Sequence, residues 1–510
     1  MNLMSSAISR LARFRYWRIE AWMEHPIDAQ NEVLDNLLMH GQYTKFGARY
    51  GMTRDWTSDE FRKNVPLSSY EDLLPYIELI KEGQENILWN TPVNWFAKSS
   101  GTSGGKSKFI PISDESLEDC HYQGAKDVLT MYYNQYPESE LLTGKGLVIG
   151  GSHQVSQLNE DIYYGDLSAV LMQNTPFWGE WIRTPELSIA LMDEWESKIE
   201  AMAHATIREN VTSISGVPSW TMVLLHRILE ITGKKQVCEI WPNLELYMHG
   251  GVSFAPYREA FTQIIGKEIH YLNMYNASEG FFAAQDKPLT DGSMLLFVQH
   301  GIYYEFLPLE ELDKPVPQTV ALGEVELAKP YALVVSTNGG LWRYVVGDTV
   351  RFTSLYPFRI EVTGRIKGFI NAFGEELIVD NTDKAVARAC LMTNASIMDY
   401  TAGPIYFDNK QSGAHEWIVE FDQQPDDLTT FTQVLDKELQ NLNSDYEAKR
   451  HNNMVLNMPL IHSVAKGTFN VWMKKRGKLG GQHKVPRLAN NRTYLDEILK
   501  EIANPEKIIA

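Results

Sequence analysis

The chain has 510 residues, 44% of them hydrophobic, enough to bury a large core and long enough for at least two domains. A formal net charge of -18 argues against a nucleic-acid binder, since phosphate contacts demand a basic face, although a local cluster can still hold a small anion. Cys120, Cys238 and Cys390 lie far apart with no Cys-x-x-Cys pair, so no disulfide framework or zinc knuckle is implied and a reducing cytoplasm fits.

From Asn2 to about Tyr50 apolar residues recur at helical spacing (Ile8, Leu11, Phe14, Trp17, Ile19, then Val33, Leu37, Leu38), which predicts two opening helices, with Asp28 as a cap for the second. Arg10, Arg13, Arg15 and Arg18 imitate a transit peptide, but Glu20 and Glu24 follow at once, so a structural first helix is expected. No stretch approaches the roughly 18 uninterrupted apolar residues of a membrane-spanning helix.

The segment Ser99-Ser100-Gly101-Thr102-Ser103-Gly104-Gly105-Lys106-Ser107-Lys108 concentrates hydroxyls, glycines and lysines. Glycines let backbone N–H groups converge on an anion, hydroxyls add donors, and lysines supply charge for a polyphosphate. A Walker A loop is excluded, because Gly101 and Gly105 enclose three residues where that pattern needs four. Phe109-Ile110-Pro111-Ile112 then reads as a strand containing a proline, whereas a P-loop opens into a helix. The segment is a phosphate cradle of another kind or, as the bland alternative, a flexible linker.

Leu147-Val148-Ile149-Gly150-Gly151 reads as a buried strand ending in a turn, and residues 190–210 and 219–232 read as helices. Strand-like runs follow at 244–251, 268–275, 295–299, 302–306, 320–327 and 332–336, so an α/β fold on large mixed sheets is expected. Around Gly364-Arg365-Ile366-Lys367-Gly368 the pattern resets. A strand pair flanking Phe373-Gly374-Glu375-Glu376, a helix near 383–390, a strand at 416–421, a charged helix at 428–446 and a strand near Leu460 predict a smaller second domain.

Two further segments carry chemistry. Asn273-Met274-Tyr275-Asn276-Ala277-Ser278-Glu279-Gly280 ends a strand-like run, and a carboxylate beside its turn glycine suits Mg²⁺, which takes oxygen ligands and bridges phosphates; the alternative is an ordinary turn. In Leu341-Trp342-Arg343-Tyr344-Val345-Val346-Gly347-Asp348 an aspartate follows an apolar strand through glycine, a position from which a carboxylate can accept both ribose hydroxyls.

In this order the segments resemble the core motifs of the adenylate-forming superfamily of acyl-CoA synthetases, peptide-synthetase adenylation domains and firefly luciferase. Ser99 to Lys108 with Pro111, Tyr275 to Gly280, Arg343 to Val350 and Gln482-His483-Lys484-Val485-Pro486-Arg487 more closely resemble the auxin-responsive acyl-acid amido synthetases. The likeness runs from Arg18-Ile19-Glu20 and Tyr70-Glu71-Asp72 to Pro486-Arg487.

The resemblance implies a large N-terminal ATP- and acid-binding domain over residues 1–366 and a small mobile α+β domain over 367–510, turning about Gly364 and Arg365. It implies ATP- and Mg²⁺-dependent adenylation of a small carboxylic acid, then transfer to an amino acid, by a cytoplasmic monomer without nucleic-acid or membrane partners. Ser99, Ser100, Thr102, Ser103 and Ser278 would contact phosphates, with Lys106 and Lys108 near the β and γ groups and Ser100 serving catalysis. Glu279 would bind Mg²⁺, Tyr275 and the turn Gly250-Gly251-Val252-Ser253 would line adenine, and Asp348 would take the ribose hydroxyls. Arg365 would join the nucleotide site from the hinge, and Lys484 would enter catalysis from the small domain.

Some residues depart from the plant pattern: Val345 stands where a second arginine is common, Trp342 replaces a tyrosine, and the chain is shorter. Transfer to coenzyme A or a carrier thiol therefore stays open, as does, more remotely, a nucleotide sensor without turnover. His121, His226 and His300 have no triad-like context and Ser103 no nucleophile elbow, so acyl-serine chemistry is not expected. The acid is not disclosed, since Tyr122, Met131, Phe177, Trp178 and Trp220 wall a pocket or simply pack a core.

Overall fold

A computed structural model describes residues 3–99, 108–150, 155–175, 179–192, 194–251, 254–287, 292–312, 314–366, 369–370, 375, 377–405, 413–443, 446–447, 450, 456–478, 484–489 and 491–502. Helices Leu3–Glu24 and Pro26–Gly41 open the chain as their spacing predicts, and a short third, Lys45–Tyr50, follows. The cap differs from expectation. Pro26 starts the second helix, where its missing N–H leaves nothing unsatisfied, so Asp28 lies in the first turn rather than before it. Among the described residues no helix is long and apolar enough to cross a membrane.

The chain divides into two compact units, one of residues 1–217, 227–251 and 268–361, the other of 218–226, 252–267 and 362–510. The first holds a twelve-stranded mixed sheet among the described residues. From one edge its strands are Val320–Ala321, Ile302–Pro308, Pro330–Thr337, Tyr344–Leu355, Phe358–Arg365, Met294–Leu296, Gly280–Ala284, His270–Ala277, Leu246–Gly250, Val211–Ser215, Lys145–Val148 and Arg183–Thr184. The last five pair in parallel, whereas His270–Ala277 meets Gly280–Ala284 as an antiparallel hairpin. Gly280–Ala284 and Ile302–Pro308 are buried along their whole length, as strands covered on both faces must be.

A four-stranded sheet in the same unit has the order Lys108–Ile112, Trp95–Ser99, Tyr163–Gly165, Ser156–Gln157. Pro111 thus lies on an edge strand, where a missing N–H removes no ladder bond. Two predicted elements are shorter than their apolar runs. Glu194 caps a helix at Trp195–Thr206, leaving Leu187–Ala190 as a separate turn. The strand begun at Val320 ends at Ala321, because Glu324 folds back to accept the Ala321 N–H at 2.6 Å.

Trp342 and Arg343 serve this unit's interior. The Trp342 indole is fully buried, stacks on Phe46 at 6.1 Å and donates to the Leu88 carbonyl at 2.9 Å. Arg343 is buried and pairs with buried Glu305, with Nε to Oε2 at 2.9 Å and Nη2 to Oε1 at 2.7 Å. Its Nη1 donates to the carbonyls of Arg62 and Val65 at 2.6 and 2.5 Å, and its Nη2 also reaches Thr319 Oγ1 at 2.9 Å.

In the second unit Ser396–Ile405 and Ala414–Gln423 pair antiparallel, and Leu460–Val464 joins the latter in parallel. Trp417, Val419 and Phe421 pack against Phe431, Leu435 and Leu439 of helix Leu428–Leu442 and against Ala385, Val386 and Ala389 of helix Val379–Met392. Phe369–Ile370 and Leu377–Ile378 form the small strand pair expected around residues 373–376. All three cysteines are free, with Cys120 and Cys390 buried and Cys238 partly exposed.

Candidate active site

Parallel strands direct their carboxyl ends to one edge of a sheet, and ligands of α/β proteins bind in the crevice there. Strands Lys145–Val148, Val211–Ser215, Leu246–Gly250 and His270–Ala277 share that direction. Gly250 is registered opposite Met274, so the Gly250-Gly251 turn lies beside Tyr275. Val252 and Ser253 lie outside the described residues.

Asp348 lies within a strand, not after one. Tyr344–Leu355 pairs with Pro330–Thr337 through Val334 opposite Val345 and Ala332 opposite Thr349, so one chain advances four residues while the other advances two. Val346-Gly347-Asp348 thus stand against the single residue Leu333 and bulge, with Gly347 at φ 95, a conformation that disfavours a side chain. Across the sheet, the Tyr275 hydroxyl donates to Asp348 Oδ2 at 2.7 Å. Two segments far apart in sequence thereby meet, with the Tyr275 ring buried against Phe282 at 4.8 Å.

Ser278 and Glu279 occupy the turn of the hairpin that follows. The Ser278 hydroxyl is buried and has no hydrogen-bond partner among the described residues, a costly state unless a ligand completes it. A Cβ at Gly280 would meet Ile302 Cδ1 at 2.4 Å, so a larger residue there would displace the end of that side chain. Among the described residues no group of three or more His, Cys, Asp and Glu could hold a metal alone. Mg²⁺ usually takes one or two carboxylates, substrate phosphates and water, so the single Glu279 carboxylate beside an unpartnered hydroxyl fits an ion shared with a nucleotide.

Ser99 and Lys108 pair at the ends of two antiparallel strands, and the expected cradle between them, with Ser100, Thr102, Ser103 and Lys106, lies outside the described residues, as does the Ser99 side chain. Lys108 donates to the Tyr344 hydroxyl at 3.1 Å and stands 5.6 and 5.7 Å from the Tyr70 and Tyr344 rings. Tyr344 is on the same strand as Asp348, so one strand serves both the cradle's exit and the Tyr275 pair. Arg365 and Lys484 belong to the second unit, both exposed, and Gln482 and His483 lie outside the described residues.

His121 was passed over by sequence reasoning as lacking catalytic context. It lies on the helix Ser116–Tyr122, whose Cys120 Sγ accepts the Phe281 N–H at 3.3 Å. Burial pushes the imidazole down to about 4, opposed only by the neighbouring Asn276 side chain. No local pattern signals this, since the neighbour arrives from residue 276. His300, by contrast, holds buried Asp127 at 2.9 Å, and Arg15 from the first helix holds the same carboxylate. Of the proposed wall residues, Met131 is core and the Tyr122 hydroxyl is spent on the Leu171 carbonyl at 2.8 Å; Phe177 and Trp178 lie outside the described residues.

Residues 15–269, 295–365 and 380–493 match the models of the GH3 family N-terminal, central and C-terminal domains. The chain is 25% identical to the indole-3-acetic acid-amido synthetase GH3.3 of Arabidopsis thaliana, over 90% of this chain and 88% of that protein. It is 23% identical to the 4-substituted benzoates-glutamate ligase GH3.12 of the same plant, over 90% and 92%. The solved GH3.15 acyl acid amido synthetase matches with a TM-score of 0.77 at 20% identity, covering 94% of this chain and 95% of that one. A 2-hydroxyisobutyryl-CoA ligase in its postadenylation state shares the fold more distantly, with a TM-score of 0.58 at 12% identity over 93% and 91%. Matched along most of its length and folded as the adenylate-forming ligases are, the chain belongs to the GH3 family.

Proposed function

We propose that the chain is an ATP-dependent acyl-acid amido synthetase, which converts a small carboxylic acid to an acyl-adenylate and passes the acyl group to the amine of an amino acid. The observation that supports the reading is the Tyr275–Asp348 hydrogen bond beside the carboxyl ends of the parallel strands, which joins two segments that the sequence reading assigns to a nucleotide. A carboxylate is a poor electrophile. Its oxygen attacks the α-phosphorus of ATP, pyrophosphate leaves, and the amine then displaces AMP from the mixed anhydride. Electrostatics and positioning supply most of the catalysis.

In this reading Ser99, Ser100, Thr102, Ser103 and Ser278 hold phosphate oxygens, Lys106 and Lys108 neutralise the departing pyrophosphate, and Gly250, Gly251, Val252, Ser253 and Tyr275 bound the base. Asp348 accepts the ribose hydroxyls. Glu279 is the protein ligand for Mg²⁺, which supplies charge neutralisation at the phosphates when bound. Residues 367–510 turn about Gly364 and Arg365 and carry Lys484 to the site for adenylation, so one copy of the chain completes both half-reactions in the cytoplasm.

The test is ATP–pyrophosphate exchange over a panel of carboxylic acids, repeated as amide formation with the twenty amino acids and with coenzyme A. Amine-dependent AMP release is expected; thiol-dependent release alone would transfer the reading to an acyl-CoA ligase. Glu279→Gln should lower exchange about tenfold or more at limiting Mg²⁺, because an amide does not neutralise the ion. Wild-type rates there would remove Glu279 from the metal. Asp348→Ala should weaken ATP binding by roughly 2 kcal/mol, the worth of two hydrogen bonds to a charged acceptor, and an unchanged Kd for ATP would remove it from the ribose site.

A further inference from the structure

Residues 486–489 are bound along the strand Ser396–Ile405. The Ala402 N–H donates to the Arg487 carbonyl at 2.8 Å, the Ala489 N–H donates to the Ala402 carbonyl at 3.1 Å, and Thr401 Oγ1 donates to the Pro486 carbonyl at 2.6 Å. The Arg487 side chain, 10% exposed, is the anchor of this segment. It donates to the Asp399 carboxylate, lies 4.0 Å from Asp383 and stacks over the Tyr400 ring at 4.4 Å. Its Nη2 donates to the Tyr257 hydroxyl at 3.1 Å.

Tyr257 comes from elsewhere in the sequence. It closes the turn Ala255–Tyr257 in the connection between strands Leu246–Gly250 and His270–Ala277, four residues beyond Ser253. Its buried hydroxyl accepts from Arg487 and donates to the Met398 carbonyl at 2.8 Å, one atom joining two pieces of the C-terminal sequence. Two carboxylates already balance the guanidinium, so charge neutralisation does not require this phenol. Lys484 is three residues from Arg487, and buried Val485 and the fixed φ of Pro486 leave little slack between them.

We infer that Arg487 is a positioning residue for Lys484, and that the Tyr257 hydroxyl, from a distant part of the sequence, holds Arg487 in place. The inference rests on the reading of Lys484 as the adenylating lysine.

The test is Tyr257→Phe in the full chain, which keeps the ring and removes only the hydroxyl. Hydrogen exchange at the Ala402 and Ala489 amides should quicken about tenfold while helix Leu428–Leu442 keeps its protection. With indole-3-acetate and 4-aminobenzoate as probe acids, acyl-adenylate formation should fall about tenfold and transfer from preformed acyl-adenylate should change less than twofold. In a Lys484→Ala background Tyr257→Phe should cost nothing further, a coupling that general loosening would not produce. Unchanged exchange at Ala489 overturns the anchor whichever acid is used. A loosened segment with undiminished adenylation, or equal losses in both half-reactions, overturns the positioning role. Wild-type adenylation in Lys484→Ala alone would instead sink the reading of Lys484, and the exchange measurement would still decide the anchor.

Discussion

Arg343→Leu should destabilise the first unit by about 3–5 kcal/mol, because it strands Glu305 in the interior without its partner. The loss has several parts. Two carboxylate oxygens, the carbonyls of Arg62 and Val65 and the Thr319 hydroxyl all accept from this one guanidinium, and the Thr319 hydroxyl, which donates to Glu305 Oε1 at 2.5 Å, would be left as a neutral partner of the charge. Leucine offers none of the donors and does not refill the volume. The double variant Arg343→Met with Glu305→Gln should lose much less, since no uncompensated charge remains. Denaturant unfolding read from the first unit's tryptophans checks both. A loss under about 1 kcal/mol for the single variant would show that water reaches Glu305 and that the network is weaker than its burial implies.

Lys484→Ala should slow acyl-adenylate formation by about 100-fold or more, near 2.7 kcal/mol of barrier, while a preformed acyl-adenylate should still react with the amine at close to the normal rate. A lysine that enters only for adenylation neutralises charge on the phosphates during one half-reaction and is absent from the other. Rapid-quench measurement of acyl-adenylate formation and single-turnover transfer from supplied acyl-adenylate separate the two. Equal losses in both would mean that Lys484 serves one fixed geometry, and alternation of the C-terminal residues would have to be abandoned.

Much of this was legible locally. Helical spacing located the opening helices, and the apolar run Phe109 to Ile112 signalled a strand in spite of its proline, because both follow from near-neighbour chemistry. What escaped depends on partners far away in sequence. The bulge that carries Asp348 exists only in the register between two strands, and reading along one of them shows an apolar strand that ends at Gly347 and Asp348. Trp342 and Arg343 read as letters of a nucleotide motif, yet their side chains face Phe46, Leu88 and Glu305, brought there by the fold. Gly280 looked like any turn glycine until Ile302 arrived within 2.4 Å of where its Cβ would be. Glu194 and Glu324 ended elements by hydrogen bonding to backbone N–H groups, which apolar periodicity does not register.

The cysteines make the chain easy to follow optically. Burial pushes the Cys120 and Cys390 thiols up to about 12, so neither offers a thiolate to an alkylating reagent at neutral pH, whereas Cys238 is partly exposed. A maleimide fluorophore should therefore attach at one place in the native chain without any cysteine being removed. One cysteine added at an exposed residue of the C-terminal sequence would supply the second dye, and the distance between the two could be watched as ATP, acid and amine are added in turn.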